Sequence, residues 1–165
     1  MITIRKGRFR DLDHIMHCYD KARSYMRSNG NMSQWINGYP SSSLIVEDIN
    51  SGINYVGIDN AGEIVMTFAF IIGEDPTYSV IEDGKWLNSL PYGTIHRLAS
   101  NGMHKGILKI CVDFCTTYIG NLRLDTHADN KTMLNAACRL GFKRCGIIHC
   151  CDGTPRIAFQ RYWDK

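Results

Sequence analysis

The stretch "IHRLASNGMHKGILKICVDFCTTY", residues 95–118, decides the fold of this chain. It predicts an apolar strand, a short loop with glycines at Gly102 and Gly106, and a long amphipathic helix. Apolar residues recur with the period of an α-helix from Ile107 to Tyr118. A strand that feeds a glycine loop at a helix N-terminus leaves backbone N–H groups unpaired at the positive end of the helix dipole. We therefore expect a phosphate-bearing cofactor on this loop.

The composition is typical of a globular protein. The chain has 165 residues, of which 44% are hydrophobic and 21% charged, and we expect one domain over residues 1–165. The net charge is only +3 and basic residues are not clustered, which argues against nucleic-acid binding. The N-terminus lacks the apolar segment of a secretory signal, and the longest apolar run, within Ile64–Ile72, is too short for a membrane span. We predict a cytoplasmic protein without a membrane partner, as a monomer or a homodimer.

The seven cysteines are an odd number, which in a cytosolic chain favours reduced thiols over a disulfide framework. Cys111 and Cys115 lie one helical turn apart on the apolar face of the predicted helix, so packing in the core is favoured over chemistry. Cys150 and Cys151 beside His149 offer metal ligands, but adjacent cysteines are a poor spacing for zinc. No metal site is predicted, and a cysteine-based metal protein is kept as the least favoured hypothesis.

The rest of the chain predicts a mixed fold. Helical periods begin at Asp11 and Ser41, and "DNAG" at residues 59–62 predicts a hairpin turn. The order β-α-α-β-β-β-α-β-α-β-β predicts the α/β (α+β) class, with a mixed central sheet of about seven strands flanked by about four helices. The other predicted strands are Ile2–Arg5, Ile53–Asp59, Glu63–Ile72, Thr94–Ser100, Leu122–Asp125, Phe142–Ile148 and Arg156–Tyr162, and the last helix starts with Asn130 as its N-cap.

Two motifs in this order resemble those of the GNAT superfamily of acetyl-CoA-dependent N-acetyltransferases. "LASNGMHKGIL", residues 98–108, is similar to the family's pyrophosphate loop, usually written Q/R-x-x-G-x-G/A. "HADNKTMLNAACRLGF", residues 127–142, is similar to the family's Asn-led fourth helix that ends in Gly-Phe. A glycine loop alone is a weak signal, whereas both motifs at this separation, with a helix and a strand between them, are more specific. The resemblance spans essentially the whole chain and implies a GNAT-like fold.

The resemblance implies that acetyl-CoA is the co-substrate and is held mainly by backbone amides. The family's first loop glycine falls on Gly106, its Q/R position on Met103 and its second Gly/Ala position on Leu108, so two side chains depart from the pattern. The amides of Met103 through Leu108 remain available for the pyrophosphate. In relatives, pantetheine runs beside the fourth strand and often meets the Asn of the second motif. The implied cofactor-binding residues are Leu98, Ser100, Met103, His104, Lys105, Gly106, Ile107, Leu108 and Asn130.

Amine acetylation needs a base that takes a proton from the acceptor's ammonium group. His96 is the first candidate, because "HRLAS" is similar to "HALAV" of aralkylamine acetyltransferases, where a His on this strand works through water. Side-chain alternation is expected to place His96 on one strand face with Leu98 and Ser100. A structural hydrogen bond is the alternative for His96. Glu82 and Tyr78, in the polar insertion that follows the third strand, are the next candidates.

Three charged residues near the predicted site are assigned structural roles more readily than catalytic ones. Arg97 points to the other strand face and is expected to form a surface or structural ion pair, and Asp125 and His127 are at least as suited to stabilising a turn.

Many family members place a Tyr five residues before the Phe of Gly-Phe, and this Tyr protonates the departing thiolate. Here that position is Ala137, and the adjacent Cys138 is expected to be packed.

Aromatic residues in two polar segments predict the acceptor side. Trp35, Tyr39 and Trp86 are the predicted substrate-binding residues, and Tyr78 and Tyr92 would join them if both segments fold over the site. Such a cluster suits an amine or an apolar amino acid. The alternative for Trp35 and Tyr39 is that they pin their loop to the core.

Two functions follow from the sequence. The first is transfer of an acetyl group from acetyl-CoA to a primary amine of a small molecule or a peptide, directly in a ternary complex. The alternative is a catalytically weak GNAT-like protein that binds acyl-CoA as a sensor, which the residues Ala137, Met103 and Leu108 favour.

Overall fold

The computed structural model describes residues 1–163 and confirms the predicted order of strands and helices. Most of the predicted bounds lie within one or two residues of those observed, as is usual for element ends. The helices and strands are β1 (Thr3–Lys6), α1 (Leu12–Ser28), α2 (Ser42–Asn50), β2 (Asn54–Ile58), β3 (Ile64–Ile72), β4 (Gly93–Ser100), α3 (Ile107–Thr116), β5 (Asn121–Thr126), α4 (Lys131–Arg139), β6 (Lys143–His149) and β7 (Pro155–Tyr162).

The described strands form one seven-stranded mixed sheet in the order β1-β2-β3-β4-β5-β7-β6. β1, β2 and β3 pair antiparallel, and so do β5, β7 and β6. β4 pairs parallel with β5 at Gly93↔Leu122 and Thr94↔Arg123, as the strand–helix–strand succession predicts. The predicted fold class is therefore confirmed.

The chain divides into two compact units. The first unit contains residues Met1–Phe70 and His96–Cys111, and the second contains Ile71–Ile95 and the chain from Val112 onward. The chain passes from the second unit to the first within β4.

The first unit has a core built around α1. Ile15, Cys18 and Tyr19 of this helix are fully buried and pack with Ile45 of α2 and Val56 of β2. Their spacing is the helical period that the sequence shows, so α1 is held by its apolar stripe.

The helices begin at the caps that the sequence predicts. Ser41 Oγ accepts a hydrogen bond of 3.2 Å from the Leu44 amide, and Asn130 Oδ1 accepts one of 3.1 Å from the Met133 amide. Such a cap stabilises a helix by about 1 kcal/mol. α4 ends before Gly141, whose φ of 80° is the left-handed conformation expected there.

The second unit has a core of Tyr78, Tyr92, Ile148 and Ala158, with Trp86 packed against it.

The expected burial of Cys111 and Cys115 on α3, in the first and second units respectively, is confirmed. Two expectations are wrong: Cys138 is exposed rather than packed, and Tyr118 is 56% exposed because α3 ends at Thr116. Among residues 1–163, no helix has the length and apolar composition needed to cross a membrane.

Candidate active site

The loop between β4 and α3 in the first unit has the form of an anion cradle. Gly102 and Gly106 have φ angles of 85° and 73°, in the left-handed region that favours glycine. A Cβ atom built on either residue meets no atom within 4 Å, so the loop is open on both sides. The Met103 side chain between them is 77% exposed. The loop is therefore exposed to solvent and has free space beside both glycines.

The backbone N–H groups at the start of α3 are unpaired. The Ile110 amide donates to the Gly106 carbonyl at 3.1 Å, and no acceptor lies within reach of the amides of residues 104–108 in the described part of the chain. Unpaired amides and the helix dipole make such a helix start favourable for phosphate. The Met103 amide, in contrast, is not available as expected, because it donates to Asn101 Oδ1 at 3.0 Å; the place of Met103 among the cofactor-binding residues stays a prediction.

His104 is turned towards the β2–β3 hairpin. Its Nε2 atom lies 3.3 Å from Asp59 Oδ2, while Asp59 Oδ1 accepts from the amides of Ala61 and Glu63. The Glu63 amide and then the His104 ring lower the pKa of the Asp59 carboxyl. Asp59 thus orders the hairpin turn and also holds the His104 side chain at one end of the loop.

The backbone of β4 is irregular at Arg97. This residue has a φ of 54°, which is unusual inside a strand. Its carbonyl accepts a hydrogen bond of 3.1 Å from Tyr19 Oη, and its guanidinium donates to Asp48 with Nε at 3.0 Å and Nη2 at 2.8 Å. The expected structural ion pair of Arg97 is confirmed. Burial alone would lower the pKa of this guanidinium, and the Asp48 carboxylate reverses the effect, so the pKa is raised.

The irregularity at Arg97 changes the geometry next to the candidate base. A left-handed residue costs about 1–2 kcal/mol, and such strain persists where surrounding contacts impose it and often marks a functional site. Strict side-chain alternation does not continue through such a residue, so the shared strand face expected for His96 and Leu98 does not follow from spacing. Both side chains are half-buried. The role of His96 as a base stays a prediction.

The second unit contains an open cleft of about 760 Å³. The insertion between β3 and β4 forms most of its wall, and β5 contributes Arg123. The lining residues are Glu74, Asp75, Pro76, Tyr78, Ser79, Trp86, Asn88, Ser89, Tyr92 and Arg123.

Tyr78 is fixed in this cleft as a hydrogen-bond donor. Its hydroxyl donates to Asp125 Oδ2 at 2.7 Å, and its carbonyl accepts from Trp86 Nε1 at 3.0 Å. Burial, and then the Asp125 carboxylate, raise the pKa of the Tyr78 hydroxyl well above its usual value. Tyr78 is therefore a neutral phenol at physiological pH, which suits a proton donor better than the base that the sequence predicted.

Arg123 lies between two aromatic rings. Its guanidinium carbon is 4.0 Å from the centre of the Trp86 ring and 3.8 Å from that of Tyr92. The residue is 5% exposed and its Nη2 atom donates to the Asn88 carbonyl at 2.9 Å. A buried contact of a cation with a ring contributes about 2 kcal/mol. Both rings thus pack against the guanidinium.

The charge of Arg123 has no partner of opposite sign. No carboxylate in the described part of the chain forms an ion pair with it, and its buried Nε–H has no acceptor. Burial lowers the pKa of the Arg123 guanidinium, an effect that the Tyr92 hydroxyl opposes. A buried N–H left unpaired costs about 1–3 kcal/mol, so the arrangement is unfavourable as it stands.

The other predicted site residues occupy varied positions. Glu82 is exposed and not among the residues that line the cleft, and its backbone pairs with Ile147 through two hydrogen bonds of 2.8 Å. Trp35 packs edge-on against Tyr19 at 5.6 Å, which supports the alternative that it pins its loop to the core. Tyr39 is 41% exposed and its carbonyl accepts from Arg23. Their roles in substrate binding stay predictions.

The position of the family's usual tyrosine carries no proton donor. Ala137 is fully buried, and its carbonyl accepts from the Leu140 and Phe142 amides at the end of α4. Asn130 caps this helix, and its predicted contact with pantetheine stays a prediction. No group of three or more His, Cys, Asp or Glu side chains within residues 1–163 is arranged to hold a metal ion.

Comparison with solved structures places this fold in a family. An acetyltransferase of the GNAT family from Streptococcus agalactiae is 31% identical, covers 99% of this chain over 96% of its own length and superposes with a TM-score of 0.90. The chain belongs to the GNAT family of acetyltransferases. The family that the two sequence motifs indicated is thereby confirmed. Family membership supports a transferase activity and N-acetyl transfer in general, and enzymes of this family use acetyl-CoA as co-substrate.

More distant structures share the fold. A GNAT-family acetyltransferase from Listeria monocytogenes is 18% identical with a TM-score of 0.71 and covers 98% of this chain over 95% of its own length. The ribosomal-protein-S18-alanine N-acetyltransferase from Escherichia coli is 16% identical with a TM-score of 0.63 and covers 100% of this chain over 96% of its own length. At these identities the likeness shows the fold alone. No protein-family model matches the sequence, and no curated protein matches it.

Two features of the site were missed by sequence reasoning, although a signal for each exists. Asp48 lies on the apolar stripe of α2, and a carboxylate in that position indicates a buried cationic partner, here Arg97. Arg123 stands between Leu122 and Leu124 in a short apolar strand, so alternation sets it on the face opposite the leucines. A lone arginine there indicates either a buried ion pair or a site for an anion.

Proposed function

We propose that this protein transfers the acetyl group of acetyl-CoA to the nitrogen of a primary amine, directly in a ternary complex. The observation that carries the proposal is the run of unpaired amides from His104 to Leu108 at the start of α3. We place the pyrophosphate of the cofactor here because the amides are unpaired and the loop is open at Gly102 and Gly106. Acetyl-CoA supplies the activated thioester, and Lys105 adds a positive side chain beside the amides.

The pantetheine arm is proposed to bond the main chain of β4 at Leu98 and Ser100. The Ser100 hydroxyl lies 3.4 Å from the Gly102 amide, so this end of β4 is tied to the loop. The positive φ at Arg97, next to Leu98, shows that β4 departs from regular strand geometry at the start of this segment. A backbone N–H aimed at the thioester oxygen would lower the barrier by about 3–4 kcal/mol if it acts as an oxyanion-hole donor does.

His96 is the proposed base. It is half-buried, adjoins the irregular position in β4 and would take the proton of the acceptor's ammonium group through water. The amine nitrogen then bonds to the acetyl carbon, the carbon–sulfur bond breaks, and the sulfur of CoA leaves with the bonding electron pair. His96→Ala should lower kcat at neutral pH about a hundredfold and leave the affinity for acetyl-CoA unchanged. His17→Ala, which removes an exposed histidine of the first unit, is the control, and an unchanged kcat in His96→Ala would exclude the role.

The proton that the thiolate receives needs a donor other than residue 137. Tyr78 is proposed for this role, since its hydroxyl is kept protonated by burial and by Asp125. Tyr78→Phe should then lower kcat, with a smaller change in KM for the amine.

One observation favours the alternative of an acyl-CoA-binding protein with weak catalysis. The buried methyl group of Ala137 replaces the family's usual proton donor. The two functions are separated by a thermal shift with acetyl-CoA and a thiol-release assay with a panel of amines. An acyl-CoA hundredfold above its Kd should stabilise the protein by about 2.7 kcal/mol under either function. Release of CoA above the rate without amine, with intersecting initial-rate lines, supports the enzyme, whereas binding without release supports the sensor.

A further inference from the structure

The cleft of the second unit holds a cation without a counter-charge. Arg123 is 5% exposed, lines the cleft, and has a buried Nε–H without an acceptor. A buried guanidinium in this state is ready to accept a carboxylate. We propose that the cleft binds the carboxylate of the acceptor on Arg123, so that the substrate is a small amine that also carries a carboxylate, such as an amino acid. This assignment of the substrate class rests on the proposed acetyl transfer.

The two rings prepare Arg123 for this contact. The centres of the Trp86 and Tyr92 rings lie 4.0 and 3.8 Å from its guanidinium carbon, so both rings pack against the cation. Nη2 bonds the Asn88 carbonyl, and the buried Nε–H, which has no acceptor, remains to donate to an anion. A planar guanidinium already held in place loses little entropy when it binds a carboxylate through two parallel hydrogen bonds.

Other charged groups around the cleft do not neutralise Arg123. Asp75 Oδ1 accepts from the Thr77 amide at 2.8 Å and from its hydroxyl at 2.6 Å, and Asp125 accepts from Tyr78. Glu74 is exposed. Carboxylates at Glu74 and Asp75 would repel a simple anion, but they would attract an ammonium group on the same molecule. The charges therefore favour a ligand that carries both signs.

The same geometry argues against an arylalkylamine that lacks a carboxylate. The ring faces of Trp86 and Tyr92 that would hold an ammonium group are in contact with the guanidinium. An amine without a carboxylate would leave the Arg123 charge and its Nε–H buried and unpaired. A site with buried polar groups discriminates against a ligand that leaves them unpaired.

Matched pairs of amines test the proposal. Thiol release from acetyl-CoA is measured for amino acids of different size, β-alanine and phenylalanine among them, and for their carboxamides, which keep the amine and lose the charge. For the acid that fits, we expect kcat/KM about ten- to a hundredfold above that of its amide. Arg123→Gln should remove this preference by lowering kcat/KM for the acid. The control is Arg161→Gln, which removes a guanidinium that lies 3.6 Å from the centre of the Trp163 ring and is not among the residues lining the cleft.

A binding measurement keeps the cleft and the activity separate. Calorimetry with the N-acetylated amino acids and their amides reports the carboxylate contact without turnover. Binding of the acids that weakens at least tenfold in Arg123→Gln supports the subsite even if no amine is acetylated, an outcome that would overturn the proposed function alone. Equal kcat/KM and equal binding for acids and amides in the wild-type protein would overturn the subsite, whatever the activity. Arg123→Lys, which keeps the charge and loses the fork, replaces Arg123→Gln if the latter shows an altered circular dichroism melt.

Discussion

The hydroxyl of Tyr78 donates a hydrogen bond of 2.7 Å to Oδ2 of Asp125. The two residues are 47 positions apart, one in a short helical turn of the insertion between β3 and β4 and the other in β5. This contact ties the insertion to the sheet of the second unit. It also holds the phenol in its neutral form, because burial and the carboxylate both disfavour the phenolate.

The raised pKa of Tyr78 predicts a loss of stability at alkaline pH. An unfolded tyrosine releases its proton above pH ~10, whereas the folded Tyr78 keeps it. The free energy of unfolding is therefore unaffected by this group below pH ~10 and falls as the pH rises towards the folded pKa. The loss is about 1.4 kcal/mol per pH unit for this group. Urea unfolding of the wild type and of Tyr78→Phe between pH about 9 and 11 measures it.

As the pH rises, the free energy of unfolding should fall more steeply for the wild type than for Tyr78→Phe. At neutral pH the variant should already be less stable by about 1–3 kcal/mol, since Asp125 loses a donor. The control, Tyr118→Phe, removes the hydroxyl of a residue that is 56% exposed and should keep the wild-type slope. Parallel pH profiles for the wild type and Tyr78→Phe would contradict the assignment.

Removing one partner of the ion pair between Arg97 and Asp48 should strongly destabilise the first unit. The two side chains are only 13% and 6% exposed, and removing one partner leaves a charge buried without compensation. We expect Asp48→Asn to lower the free energy of unfolding by about 3 kcal/mol, and the double variant with Arg97→Met to be less destabilised than the sum of the single variants. Denaturant unfolding of all three completes the cycle.

A matched surface pair supplies the reference for that cycle. Asp20 bonds Arg23 one helical turn away, with the aspartate 67% exposed, so Asp20→Asn should cost less than about 1 kcal/mol. Additive effects of Asp48→Asn and Arg97→Met would show that the buried pair is not coupled.

The glycine loop predicts a phosphate-specific effect. Gly106→Ala places a Cβ at a φ of 73° without a steric clash, so it costs about 1 kcal/mol of backbone strain and shifts the amides that follow. We expect calorimetry to show acetyl-CoA binding weakened about tenfold, while binding of S-acetylpantetheine, which lacks the phosphates, stays unchanged.

Gly30→Ala after α1 is the matched control for the loop. Gly30 has a φ of 81° and equally open surroundings, so its substitution carries the same strain away from the amides of α3. It should leave the affinity for both ligands unchanged. An equal loss for acetyl-CoA and S-acetylpantetheine in Gly106→Ala would show that the loop does not hold phosphate.

Local patterns were sufficient to predict the order of elements and several of their ends. The periods of α1 and α3, the caps Ser41 and Asn130, and the turn before Glu63 depend on neighbours within a few residues. Such features are set by side-chain spacing and hydrogen bonds along the chain, which a single sequence displays. The same holds for the open glycine loop.

The details of the candidate site depend on contacts that are distant in sequence. The left-handed conformation at Arg97 is imposed by Tyr19 and Asp48, which are 78 and 49 positions away, so strand spacing could not reveal it. The position of Arg123 between Trp86 and Tyr92 depends on how the insertion folds. Its one local signal, an aspartate cap at Asp75 followed by proline, predicts a helical turn but not what the turn covers.

The transfer of acetyl to nitrogen is tested most directly with acetyl-CoA labelled in its acetyl group. The wild-type protein is incubated with the labelled compound and a panel of primary amines, with and without a carboxylate, and free CoA and N-acetylated amine are both quantified by mass spectrometry. We expect labelled amide and CoA in equal amounts, formed faster than CoA appears without amine and slowed about a hundredfold in His96→Ala. Binding of acetyl-CoA with no labelled amide for any amine would contradict the proposed N-acetyltransferase.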